Sequence, residues 1–171
     1  MKSMTTPFLW GLMTVARMKA KFLKFRIAQC IQLASLSPCS RTQFGAVIVN
    51  PISNSILAEG YNGTPRGHKH DLCGSSGCLR DCVESGTRLE VGCHHAEANC
   101  LMNALRTHAD IRGSIMIVSG EPCLMCAKLI HHSGIEKVFT IQGSYSAVDG
   151  VNYLRDNNIE VIKVNNQGDI L

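Results

Sequence analysis

Residues 93–126 constrain this chain more than any other stretch. They open Cys93-His94-His95-Ala96-Glu97 and close Glu121-Pro122-Cys123-Leu124-Met125-Cys126. His95, Cys123 and Cys126 offer one imidazole and two thiolates, a donor set suited to zinc. Three protein ligands leave a fourth tetrahedral position open, as catalytic sites do, whereas structural sites are usually closed by four. Glu97, two residues beyond His95, can reach a water there while staying free of the metal. Ala98, Leu101, Met102 and Leu105 fall at i, i+3, i+4 and i+7, which predicts a helix from near His95 with that face buried. Cys123, Cys126, Ala127 and Ile130 repeat the pattern, and Gly134 suits the position just past a helix end. Between the two, Ile115-Met116-Ile117-Val118 is an apolar run of strand length. Both ligand groups are thus expected at helix N-termini, where backbone N–H groups favour thiolate and hydroxide. Helix, strand, helix is the minimum unit that closes such a site.

This H-x-E…P-C-x-x-C spacing is the signature of the zinc nucleobase deaminases. A lone C-x-x-C also marks redox motifs and zinc knuckles; Pro122 and the upstream His95-Ala96-Glu97 set this one apart. The competing reading of Glu97 is a solvated first-turn acid that stabilises the helix dipole. His94 sits one residue off the ligand register and reads as an exposed or core residue. His131 and His132 follow the second helix and are expected at the surface near its carbonyl end. Arg106 and Arg112 are expected to face solvent.

Composition narrows the class. A chain of 171 residues with 45% hydrophobic content is long enough for one domain with a sizeable core. We divide it into an N-terminal extension, 1–20, and a deaminase-type domain, 21–171. A formal charge of +4 suits a phosphorylated small substrate, but with aromatics at only 5% it falls short of a nucleic-acid footprint. Nine cysteines, most of them between Cys73 and Cys126 and beside histidines, read as metal binding in a reducing cytoplasm more than as a disulfide framework. Phe8 to Ala16 is apolar after Lys2, but basic residues follow without a small-x-small cleavage site. No stretch reaches the ~20 apolar residues of a membrane span. A cytoplasmic, soluble protein without membrane or nucleic-acid partners is the expectation.

Taken in order, residues 8–36 read as one helix or two, with Phe22, Phe25, Ala28, Cys30, Ile31, Leu33 and Ala34 as the apolar stripe. The first 20 residues would cover an apolar patch or make a subunit contact. Pro38 stops the helix. Phe44 to Val49 predicts a strand buried on both faces, and Ile56 to Tyr61 its hairpin partner. Residues 62–92 lack periodicity but carry Cys73, Cys78 and Cys82; a loop so long is functional, disordered or pinned by a metal. Lys137 to Ile141 is a further strand, Ala147 to Asp156 a short helix and Ile159 to Val164 a last strand. The alternation implies an α/β fold, helices lying on both faces of a sheet.

Phe44-Gly45-Ala46-Val47-Ile48-Val49, Gly60-Tyr61-Asn62-Gly63-Thr64-Pro65, Gly77-Cys78-Leu79-Arg80, His95-Ala96-Glu97-Ala98-Asn99 and Pro122-Cys123-Leu124-Met125-Cys126-Ala127-Lys128-Leu129-Ile130 together resemble the deoxycytidylate (dCMP) deaminase family. The resemblance covers roughly residues 22–164, and Gly-Tyr-Asn-Gly-x-Pro is its most telling element. It implies a cytidine deaminase-like three-layer α/β/α fold with a mixed five-stranded sheet. It also implies hydrolytic deamination of dCMP to dUMP and ammonia, which supplies precursors for dTMP synthesis. A hexamer activated by dCTP and inhibited by dTTP is implied as well. On the same footing, His95, Cys123 and Cys126 would bind zinc and Glu97 would shuttle protons. Arg41, Asn62, Ala96 and Tyr145 would meet the substrate, and Tyr61, Asn62 and Gly63 an effector. Tyr145 has a packing role as its competing reading. The chain departs from the family pattern in a long 67–78 stretch and in the placement of Cys93.

A second, structural zinc is the reading of the remaining cysteines. Four thiols can close a tetrahedral site that pins residues 63–92. Related enzymes place cysteines at positions like Cys39, Cys73, Cys78 and Cys93, with Cys82 or His94 as substitutes; free or buried thiols are the alternative. Arg41 is the candidate phosphate contact because a guanidinium fork matches phosphate oxygens. dCTP is an open alternative as substrate, Mg2+ accompanying the triphosphate. The alternative functions are a deaminase acting on a base in RNA or single-stranded DNA and a non-catalytic zinc-stabilised module.

Overall fold

Gly45-Ala46-Val47-Ile48-Val49 is buried at every position, so the strand it forms, β1, must lie inside a sheet covered on both faces. The computed structural model describes residues 18–65, 78–84, 91–143 and 146–171. It places β1 (Gly45–Val49) between β2 (Ile56–Tyr61) and β3 (Ile115–Val118), followed outward by β4 (Lys137–Ile141) and β5 (Glu160–Val164). β1 runs antiparallel to both its neighbours, whereas β3, β4 and β5 are parallel. The expected mixed five-stranded sheet is present. Asn50 fixes the β1–β2 turn, its side-chain oxygen accepting from the backbone N–H groups of Ile52 and Ser53.

Side chains alternate across this sheet and divide the core in two. Val47, Val49, Ile115, Ile117, Phe139 and Ile141 point to the side covered by α1 (Ala20–Ala34). Ala46, Ile48, Met116, Val118 and Val138 point to the other, where α2 (Ala96–Arg106), α3 (Leu124–His132) and α4 (Val148–Asp156) pack. The three-layer architecture follows directly. After β5 the chain turns back along it: Ile170 bridges to Val164, and Lys24 of α1 pairs with Asp169 at 2.8 Å.

Two expectations about helix faces are corrected. The first helix runs Ala20–Ala34 and buries Leu23, Ile27, Cys30 and Ala34; Phe25, 56% exposed, and Ala28 lie outside that face. Its start before residue 18, and the extension as a whole, lie outside the described residues apart from Met18, Lys19 and Ala20. In α2 the helix is where its periodicity places it, but Met102 and Leu105 are exposed, and the buried face is Ala96, Glu97, Cys100, Leu101 and Ala104. The reason is a close approach. A Cβ on Gly60 of β2 would stand 2.4 Å from the backbone nitrogen of Cys100, so only small side chains fit between helix and strand. Asn99 and Asn103 complete the docking by donating to the carbonyls of Tyr61 and Glu59, both at 2.8 Å. Between residues 78 and 84 the only regular element is a short 3-10 turn, Leu79–Cys82.

Candidate metal centre and active site

His95 and Cys123 occupy the same structural position twice. Each is the N-cap of its helix, His95 of α2 and Cys123 of α3, with extended backbone that turns the side chain away from the helix axis. Cys126, one turn into α3, is buried and donates its backbone N–H to the Cys123 sulfur. The antiparallel β1–β3 pairing and the short β3–α3 connection bring the two N-termini together. His95 Nδ1 lies 3.5 Å from the Cys123 sulfur and 3.5 Å from that of Cys126. A tetrahedral zinc, with Zn–N near 2.0–2.1 Å and Zn–S near 2.3 Å, requires N···S separations of about 3.6 Å. The donors are therefore already spaced for the ion.

Charge agrees with spacing. Cys123 is held down at about 4, by its hydrogen bond with the Cys126 thiol first, then by the His95 ring and the Cys126 N–H, against the opposing pull of burial. It is a thiolate at neutral pH, which is the metal-binding form. Glu97, in the first turn of α2, is only 6% exposed. Burial pushes its carboxyl above the usual range, outweighing the backbone N–H groups and His95 that favour the anion. A carboxyl so placed can hold a proton and give it up, as an acid–base catalyst must. Glu97, His95 and Cys123 line one cavity of about 750 Å³, within the size range of small-molecule sites.

The sequence pattern described as the cytidine and deoxycytidylate deaminase zinc-binding region matches residues 21–142. The chain belongs to this family. Among relatives of this deaminase-family chain, the deoxycytidylate deaminase of Mus musculus is 38% identical over 104 residues, 61% of this chain and 55% of that one. That of Homo sapiens is 35% identical over 116 residues, 68% of this chain and 62% of that one. The chain thus spans a little over half the length of these mammalian relatives. The crystal structure of the dCMP deaminase from the cyanophage S-TIM5, in complex with dCMP and dUMP, superposes with a TM-score of 0.72 at 29% identity, over 86% of this chain and 100% of that one.

The other residues singled out from the sequence reach this family site unequally. Arg41 lines the cavity, half exposed, with Asp81 at 3.3 Å; Asp81 also accepts from the Cys78 N–H and so ties Arg41 to the 3-10 turn. Ala96 lies buried in the cavity wall. Asn62 is buried there too, but it braces the chain: its oxygen accepts from Phe44 N at 2.7 Å and its amide donates to Thr42 O at 3.0 Å. Gly63 exchanges backbone hydrogen bonds with His94, holding the loop after β2 against the histidine pair, while Tyr61 is exposed. Tyr145 and Cys73 lie outside the described residues. Cys39, Cys78 and Cys93 line the cavity and Cys82 is exposed. Among the described residues, the one set of three or more His, Cys, Asp or Glu with ligand atoms within 4.8 Å of one another is His95, Cys123 and Cys126. His131, His132, Arg106 and Arg112 are exposed, as expected.

Sequence reasoning missed Glu121, which precedes the Pro-Cys pair. Its carboxylate lines the cavity and accepts from Ser146 Oγ at 2.7 Å, from the Ala147 N–H at 2.8 Å and from Lys163 Nζ at 3.1 Å. Burial opposes the charge, but these donors together hold Glu121 below the usual carboxylate range. No local pattern announces such a residue, because its partners lie 25 or more positions away.

Proposed function

We propose that the chain hydrolyses dCMP to dUMP and ammonia, with zinc held by His95, Cys123 and Cys126 and with Glu97 as the proton carrier. The observation that carries this reading is the convergence of three donors at zinc spacing beside a buried carboxyl at one end of a nucleotide-sized cavity. The names of the mammalian relatives and the dCMP and dUMP bound by the S-TIM5 enzyme favour this substrate over other cytosine compounds.

Bound zinc supplies the Lewis acidity that makes water a nucleophile near neutral pH. Glu97 takes a proton from the attacking water and delivers it to the pyrimidine ring nitrogen. It then takes the remaining proton of the added hydroxyl, as the ring carbonyl forms, and passes it to the amine, which leaves as ammonia when the C–N bond breaks. Its burial keeps bulk water from competing for that proton. Arg41 meets the phosphate, exchanging its contact with Asp81 for phosphate oxygens, and Tyr145 adds a hydroxyl contact. Ala96 and Asn62 border the sugar and base; Asn62 has one lone pair and one N–H beyond those engaged with Phe44 and Thr42.

The remaining parts of the reading rest on the family resemblance. dCTP is the alternative substrate, with Mg2+ on its phosphates, or together with dTTP an effector near Tyr61, Asn62 and Gly63; the assembly is a homo-oligomer, a hexamer by preference. A second zinc would engage Cys39, Cys73, Cys78 and Cys93, with the shared cavity wall supporting three of the four. A cytoplasmic location is supported by the eight cysteines among the described residues, none of them in a disulfide; no described helix is long and apolar enough to cross a membrane.

Ammonia release from purified zinc-loaded protein given dCMP, dCTP, deoxycytidine or single-stranded DNA tests the proposal. Turnover of dCMP well above the others is the expected result. Preference for the DNA would make it a nucleic-acid deaminase, and no turnover of any would leave a zinc-stabilised module.

A further inference from the structure

The proposed mechanism gives no role to one part of the cavity wall. That part is the segment entering α4: Ser146, Ala147, Val148 and Asp149 all line the cavity. Ala147 is the N-cap of α4, and its side chain has no acceptor for the helix's unpaired N–H groups. Glu121 reaches across and accepts from both the Ser146 hydroxyl and the Ala147 N–H, while Lys163 of β5 neutralises its other oxygen. Its side chain is only 12% exposed, so these are shielded, charge-assisted bonds. Glu121 also stands two residues before the ligand Cys123. One carboxylate therefore joins the segment that carries Cys123 to the segment that enters α4 and lines the cavity.

We infer that Glu121 is a positioning residue for the substrate, setting the distance between the metal centre and the wall at 146–149 against which the nucleotide lies. This inference rests on the deaminase reading for its kinetic consequence, but the tether itself does not. Lys163, 44% exposed at the rim, is secondary: an exposed pair of this kind contributes little by itself.

The test compares Glu121→Ala, Glu121→Gln and Lys163→Met in the zinc-loaded full chain. Glu121→Ala is expected to keep its zinc and raise KM for dCMP by about tenfold or more, the scale of a lost charge-assisted hydrogen bond, with a smaller change in kcat. Glu121→Gln keeps a carbonyl acceptor for the Ala147 N–H and should recover most of that KM. Lys163→Met should stay within about threefold of the parent, as for an exposed pair. A merely structural role would lower the active fraction and hence apparent kcat, leaving KM unmoved. Hydrogen exchange over residues 146–151 reads the tether whether or not dCMP is a substrate: Glu121→Ala should accelerate it there and leave α3 protected. Failure of the parent chain to turn over dCMP would count against the function alone, with exchange still deciding the tether. Unchanged exchange at 146–151, an unchanged KM in an active enzyme, or zinc lost along with activity would overturn the inference.

Discussion

His95 and Glu97 are two residues apart on one helical turn, and the proposed mechanism gives them opposite tasks, one to hold a metal and the other to stay off it. The backbone separates them. His95 is the N-cap, with extended φ and ψ, so its ring swings out toward α3, whereas Glu97 is inside the first turn and buried. Glu97→Ala should therefore keep zinc and lose turnover by about 10²–10⁴-fold, the usual contribution of a positioned acid–base group. Cys123→Ala should lose both metal and turnover. Zinc-free protein with full activity in a metal assay would refute the pair. Arg41 gives a prediction of different kind. Its pair with Asp81 lies between half-exposed side chains and adds little stability. Arg41→Ala should leave the melting temperature nearly unchanged, cut kcat/KM for dCMP by about tenfold or more and spare deoxycytidine. Equal slowing of both substrates would mean that the phosphate is read elsewhere. The candidate metal cluster was legible in the sequence because local spacing and side-chain chemistry single out its three members. Glu121 and Asp81 were not, since each acts on residues distant in sequence or on a loop without periodicity.

Among the elements, existence and type were easier to read than orientation. β4 spans Lys137–Ile141, the bounds read from the sequence, and α3 buries Cys126, Ala127 and Ile130 as its spacing requires. Gly134 follows α3 with φ +80°, the left-handed conformation that its place past the helix end demands. The face of α2 was misjudged because large apolar residues carry most weight in a periodicity argument. Here contact with β2 selects small ones, and Met102 and Leu105 turn outward. A second close approach fixes α4 against the segment that carries Cys123. A Cβ on Gly150 would fall 1.9 Å from the Pro122 carbonyl oxygen and 2.8 Å from the Cys123 carbonyl carbon. Backbone cannot yield as a side-chain tip can, so Gly150→Ala has to push α4 away from the segment carrying Cys123. The expected cost is about 1–3 kcal/mol, typical of overpacking, which corresponds to a melting temperature lower by roughly 2–12 °C for a domain of this size. KM for dCMP should rise as the wall at 146–149 moves with the helix. A variant that melts and binds like the parent would show that α4 does not depend on this contact.

At the scale of the whole molecule the candidate metal centre lies where α2 and α3 meet, two helices that also touch each other directly. α2 packs on β1 and β2, while α3 follows β3 and packs against α4. The imidazole and thiolates converge from the N-termini of α2 and α3, so an ion bound there joins these two halves of the helical layer. A ligand that binds the folded chain and not the unfolded one stabilises it by RT ln(1 + [L]/Kd), about 2.7 kcal/mol at a hundredfold excess over Kd. For a domain of this size that amounts to roughly 5–11 °C in melting temperature. Removing zinc with a chelator should lower the melting temperature by that much, and returning the metal should restore it. Metal binding to thiolate and neutral imidazole competes with protons, so the stabilisation should fade as the buffer is made acidic. Glu97→Ala supplies the control that separates stability from catalysis. It lacks the proton carrier but keeps all three donors, so its melting temperature should respond to chelation as the parent's does while its turnover stays near zero. Cys123→Ala should already melt low and respond weakly. If the parent's melting temperature ignores chelation although the metal has demonstrably left, then α2 and α3 are held by core packing alone and the ion has no part in the stability of the fold.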